Sequence, residues 1–255
     1  MSKHIPWWLW PNLLCLDAPA VAMLWQRFMA DALGLNLAIA PTVCLGLVVW
    51  GVYLLDRGLD NRPSRPVDPA ARHQFARAHC ATMTYAGAAV LLMGAGLALV
   101  TLMLPIIVGG LSLGMGLAGY LIAVHFYPLI KRGTKEFVVA AIFACGVVLP
   151  VITAIPDRVG QWFPTLIGFQ GVCWLNCVFI DRWEAGRRGW NATTTLATMI
   201  ALSGAGFSPI QVGGAILAST VLLWILHFGH PRIGLQATRV LADVVLLTPL
   251  ALGFR

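Results

Sequence analysis

Charge is what this chain has least of. Only 11% of its 255 residues are Asp, Glu, Lys or Arg, while 59% are hydrophobic and the mean hydropathy is +0.81. Such a composition excludes an ordinary soluble domain. Clustered cysteine is lacking as well. Cys15, Cys44, Cys80 and Cys145 stand singly, Cys173 and Cys177 are one helical turn apart, and no C-x-x-C or histidine at zinc spacing accompanies them. That excludes a zinc module, and the cysteines are expected to be reduced packing residues. There is no basic tract either: the net charge of +7 is dispersed, which argues against a nucleic-acid partner. Finally, no signal-peptide core precedes the A-x-A at Ala18 to Ala20, because Pro11 and Asp17 interrupt it. The tryptophan-rich lead-in "MSKHIPWWLWPNLL" is expected to be retained at the membrane interface.

What is present in quantity is apolar run. A hydrocarbon core of about 30 Å takes roughly 20 helical residues to cross. Breaking the runs at charge, proline and glycine predicts nine spans, at about 12–32, 36–56, 80–104, 107–128, 136–155, 162–182, 190–205, 209–228 and 237–253. The fold expected is all-α: one polytopic membrane domain over residues 1–255, a nine-transmembrane-helix bundle. Basic residues alternate with the crossings. Arg57, Arg62, Arg65, Arg72, Arg77, Lys131, Arg132, Lys135, Arg182, Arg187, Arg188, Arg232 and Arg239 fall on one side, against Arg158 and Arg27 on the other. By the positive-inside rule the N-terminus and the charged loops are cytoplasmic, in a bacterial-type inner (plasma) membrane.

The same alternation sorts the acids. Asp56, Asp60, Asp181 and Glu184 come at cytoplasmic helix ends, and Asp17 and Asp243 lie a turn or two deeper, so six of the ten acidic residues share one side. Carboxylates at that depth usually line a cavity or meet a partner. Asp56 and Asp60, at i and i+4, share a helix face, as do Asp181 and Glu184 at i and i+3. Paired carboxylates that water can reach suit Mg²⁺, which keeps several waters and takes substrate phosphate oxygens. Lys131, Arg132, Arg62 and Arg65 add fixed cations. Acids for metal and cations for phosphate describe a diphosphate site under an apolar, aromatic interior suited to an isoprenoid chain. The chemistry expected is ionisation of an allylic diphosphate.

These residues resemble the UbiA superfamily of intramembrane prenyltransferases. "VYLLDRGLDNRPSRPV" carries that family's DxxxD and the Arg-Pro after it (52–66), "YPLIKRGT" matches its basic stretch (127–133), and "DRWE" within 176–188 stands at its second acidic motif. The likeness covers about residues 12–253. Val52 stands where the family has asparagine, and Ala185 and Gly186 where a further acid is common, which marks a divergent member. The resemblance implies a bundle around a central cavity with a cytoplasmic cap. It also implies an isoprenyl diphosphate and an apolar acceptor as substrates, with membrane lipid around them. Asp56, Asp60, Asp181 and Glu184 would hold Mg²⁺, with Asp56, Asp60 and Lys131 catalytic, and Arg65, Tyr127, Lys131, Arg132 and Asn176 would hold diphosphate. A terpene cyclase using the same site, or a degenerate lipid-binding or structural subunit, are the alternatives.

Simpler roles stand beside these. Arg239 and Asp243 have ion-pair spacing, as do Asp181 and Glu184 with Arg187 or Arg188. His73, His79, His227 and His230 are expected to be polar residues in or beside loops. "GGLSLGMGLAG" is expected to let helices approach closely. The "NAT" at Asn191 is on the cytoplasmic side and is discounted as a glycan site.

Overall fold

The computed structural model describes residues 5–61, 71–126, 134–187 and 189–252. Every regular element among them is helical. After a 3-10 turn (Trp7–Leu9) come α1 (Trp10–Leu13), α2 (Asp17–Ala32), α3 (Ile39–Asp60), α4 (Ala71–Ala78), α5 (Cys80–Thr101) and α6 (Leu104–Phe126). There follow α7 (Thr134–Ala154), α8 (Val159–Glu184), α9 (Ala192–Phe207), α10 (Ile210–Ile233), α11 (Leu235–Val245) and a 3-10 turn (Thr248–Leu252). The all-α expectation holds.

Among the described residues six helices, α3, α5, α6, α7, α8 and α10, are long and apolar enough to cross a membrane. The others depart from the predicted spans for local reasons. The expected span at 12–32 is broken: residues 7–13 meet α2 at 77°. Cys15 adopts the left-handed region (φ 56°), and Pro19 fits the first turn of a new helix, where its missing N–H costs nothing. Asn12 Nδ2 donates to Asp17 Oδ2 at 2.6 Å, and Ala18 N–H donates to Asp17 Oδ1 at 3.0 Å, so Asp17 anchors the joint. Near the C-terminus, α11 has eleven residues, or about 16 Å of rise. Pro249 disfavours helical backbone before it, and Leu246 and Leu247 close with 3-10 bonds instead. α9 is apolar but has 16 residues. Asn191 is its N-cap, accepting from Thr194 N–H at 3.0 Å in a capping box. The segment after α3, expected as loop, contains the eight-residue α4, whose Phe75 packs edge-on to Trp10 at 6.0 Å.

The chain divides into two compact units, residues 1–23 with 40–102, and residues 24–39 with 103–255. In the first, α3 and α5 meet through glycine. A Cβ on Gly87 would lie 2.8 Å from the Gly51 carbonyl oxygen, and one on Gly58 would lie 3.2 Å from that of Cys80. The joint before α2 is tied to α3: Trp50 Nε1 donates to the Leu14 carbonyl at 2.9 Å, and Cys15 packs with Leu54, Ala76 and Met83.

The second unit is organised on α8, which packs against α7, α9, α10 and α11. Gly168 and Gly171 of α8 lie so close to Gly204 and Ala201 of α9 that a side chain at these glycines would strike backbone. In a bilayer, where lipid is as apolar as leucine, such contact is what holds helices together. Trp25 of α2 packs on Phe169 of α8 at 4.6 Å and donates from Nε1 to the Leu246 carbonyl at 2.7 Å. The "GGLSLGMGLAG" stretch of α6 behaves otherwise than expected. Gly109 receives Leu149 of α7, but Gly110, Gly114, Gly116 and Gly119 have no group within 4 Å of where a Cβ would stand.

Gly204→Val is therefore expected to lower the melting temperature of the purified protein. The cost should fall near the top of the ~1–3 kcal/mol typical of overpacking, because the obstructing atoms are backbone. Gly116→Ala should not lower it.

Candidate functional site

The last turn of α3 carries the first acidic pair. Leu54 and Gly58 lie on the buried side of that helix, with Gly58 against Cys80 and Thr84 of α5. Asp56 and Asp60 lie on a different side, both half-buried, with Val52 one turn before them on the same face. Asn61 closes the helix, donating from Nδ2 to the Arg57 carbonyl at 2.8 Å. Arg57 belongs to this site more closely than its spacing suggested. Its Nη1 is buried and has no hydrogen-bond partner in the chain. Asp17, Asp56, Arg57 and Arg72 all act electrostatically on the Cys15 sulfur, so the fold of this unit brings a third carboxylate and two guanidiniums into one region.

The second acidic pair belongs to the other unit and has a different setting. Arg187 Nη2 meets Asp181 Oδ2 at 2.9 Å, the local pair its spacing allowed. Glu184 pairs with Arg239 of α11, whose side chain is almost wholly buried. Arg239 thus reaches across to α8, where the spacing alone suggested Asp243 one turn along its own helix. A cation at Asp181 or Glu184 would have to compete with a guanidinium already in contact. Asn176, two turns back along α8, donates from Nδ2 to Asp243 Oδ1 at 3.5 Å.

Sequence spacing missed an aromatic cluster beside this helix end. His227, expected in or beside a loop, lies within α10 and is only 3% exposed. It stacks on Phe179 at 4.4 Å, with Trp183, Trp224, Phe228 and His230 around it. Trp183 Nε1 donates to His227 Nδ1 at 3.1 Å. Indole can only donate, so His227 carries its ring proton on Nε2. Arg182 Nη2 donates to the Gly189 carbonyl at 2.7 Å and ties down the turn after α8. The nearest signal in the sequence was the run of i, i+4 aromatics: Phe179 with Trp183, and Trp224 with Phe228.

Arg65, Tyr127, Lys131 and Arg132 lie outside the described residues. Among the described residues no three of His, Cys, Asp and Glu gather as metal ligands. The Asp56 and Asp60 donors nonetheless suit Mg²⁺, since two hard carboxylates with open positions for water and phosphate are what that ion takes. Asp181 and Glu184 fit it less well, being held by arginine. Comparison with protein-family models, curated proteins and solved structures finds no match.

Two outcomes follow for this region. Glu184→Gln should destabilise the protein by about 3 kcal/mol, because it leaves the Arg239 guanidinium buried without its counter-charge. In a double-mutant cycle, Trp183→Phe and His227→Phe should show a coupling of about 1 kcal/mol in chemical or thermal unfolding, the value of one buried hydrogen bond.

Proposed function

We propose that the chain is a Mg²⁺-dependent intramembrane prenyltransferase, a divergent member of the UbiA superfamily. It would have nine membrane segments around a central cavity, with its N-terminus and charged loops cytoplasmic in a bacterial-type inner membrane. The observation that carries the proposal is the end of α3. Asp56 and Asp60 stand half-buried on one face, and the Arg57 Nη1 donor nearby is buried and without a partner in the chain. Buried polar groups are ordinarily paired, so an orphaned guanidinium N–H beside two carboxylates suits a ligand that is both anionic and metal-binding. A diphosphate is such a ligand.

Asp56 and Asp60 would hold the magnesium. Arg57, with Arg65, Lys131 and Arg132, would bind diphosphate oxygens, and Tyr127 lies in the same basic stretch. Magnesium, when bound, supplies positive charge against the departing diphosphate. The carbon–oxygen bond breaks with its electron pair leaving on the diphosphate. The arginine and lysine donors stabilise that charge more as it grows, which is what lowers a barrier. The prenyl cation then bonds to an apolar acceptor, which gives up a proton.

One observation favours a second function, a catalytically degenerate subunit that binds lipid or stabilises a membrane assembly. The α8 carboxylates are neutralised by Arg187 and Arg239, and Val52 offers no ligand beside Asp56.

Pyrophosphate release by the purified protein, with Mg²⁺ and a panel of isoprenyl diphosphates, separates the two. The transferase should release pyrophosphate, and chelation should abolish the release. Asp56→Asn should slow it roughly 10²–10³-fold, and Arg57→Gln should slow it to a comparable degree, the loss typical of one charge-stabilising group. No release by the wild type with any of these diphosphates, and full complementation of a deletion strain by Asp56→Asn, would leave the subunit role.

A further inference from the structure

Buried side-chain atoms without a hydrogen-bond partner occur on α2 and α8 of the second unit: both amide atoms of Gln26, Nε1 of Trp174 and Oδ1 of Asn176. A membrane interior has no bulk water to satisfy such groups, so each marks a place for a polar atom that the chain itself does not supply. Asn176 is the one with a charged neighbour. Its side chain is 6% exposed, its Nδ2 donates to Asp243 Oδ1 of α11 at 3.5 Å, and its Oδ1 is left as an acceptor beside that carboxylate.

The surroundings limit what can be accepted there. Cys177, next in the chain, feels the charges of Glu136, Asp243 and Lys135, so the start of α7, the middle of α8 and α11 bring these groups to one region. Phe137 packs edge-on to Trp174 at 5.0 Å and adds an aromatic wall. An amide oxygen next to a carboxylate presents two acceptors to one approaching group. A phosphate or carboxylate would be repelled by Asp243 and Glu136, and a pure hydrocarbon would leave Asn176 Oδ1 unsatisfied. A hydroxyl, which donates one hydrogen bond and brings no net charge, satisfies both constraints.

We propose that Asn176 and Asp243 bind the hydroxyl group of an otherwise apolar molecule within the second unit. Asn176 Oδ1 accepts the hydroxyl hydrogen bond, and the adjacent Asp243 carboxylate orients it. As the acceptor site of a prenyltransferase this rests on the function proposed above, and names a lipophilic alcohol or phenol as the acceptor; as a hydroxyl-binding site it rests on these contacts alone. Asn176 then serves the acceptor rather than the diphosphate.

Farnesol and its methyl ether, which differ in a single donor hydrogen, are the probes. Binding is followed by intrinsic tryptophan fluorescence and by thermal shift on the full-length protein in lipid nanodiscs. Farnesol should bind saturably and the ether about tenfold more weakly, the equivalent of one hydrogen bond. Asn176→Ala and Asp243→Asn should bring farnesol down to the affinity of the ether, with no effect on the ether itself. If either variant fails to fold, the farnesol–ether comparison on the wild type decides alone. Equal affinity for the two probes, or saturable binding of neither, overturns the proposal. Farnesol binding without pyrophosphate release from any diphosphate would remove the transferase and leave the hydroxyl site. Pyrophosphate release without preference for farnesol over its ether would do the reverse.

Discussion

The second unit depends on the close approach of α8 and α9 at Gly168, Gly171, Ala201 and Gly204. Lipid chains solvate leucine as well as a protein interior does, so apolar surface alone gives two helices in a bilayer no reason to associate. Contact between backbones does, through dispersion over many atoms, and only residues with little or no side chain permit it. The rest of the unit is built outward from that seam. α8 is the most enclosed of the long helices, and α7, α10 and α11 pack around it. The first unit repeats the device on a smaller scale, with Gly51 and Gly58 of α3 against Gly87 and the Cys80 backbone of α5.

Once α8 is enclosed, each polar side chain on it must find a partner, and these partners shape the cytoplasmic-side chemistry proposed here. Arg182 finds the Gly189 carbonyl, Trp183 finds His227, Glu184 finds Arg239, and Asn176 finds Asp243 with one hand only. A structural ion pair and a metal ligand place opposite demands on one carboxylate. The Arg239 pairing therefore moves the weight of the proposed metal site toward Asp56 and Asp60, whose helix end also holds the unpartnered Arg57 donor.

Much of this was legible from spacing along the chain. The all-α fold follows from apolar runs of membrane length, and the ends of α3 and α8 fall at the acidic clusters because charge is too costly to continue into hydrocarbon. The pair Asp56 and Asp60, the pair Asp181 and Arg187, and the cap at Asn191 are local, within one or two helical turns, and periodicity reports such neighbours directly. The break at Cys15 was less visible. Pro11 and Pro19 flank it, but proline is compatible with a first turn as well as with a kink, and the anchor for Asp17 proved to be Asn12.

What the sequence determined alone was therefore the membrane-spanning class of the protein, the positions of its helices to within a few residues, and the pairs of side chains that one helix can bring together. The tertiary structure decided which helices touch, and with that the pairs formed between helices: Glu184 with Arg239, Trp183 with His227, Asn176 with Asp243. The physical reason is range. Helical periodicity relates residues three or four apart, whereas these partners are 44 to 67 positions apart, or on helices whose meeting depends on where glycine lets backbones approach. The same limit hid the role of the α6 glycines, since a small residue permits close contact but does not say whether a partner helix is there to make it.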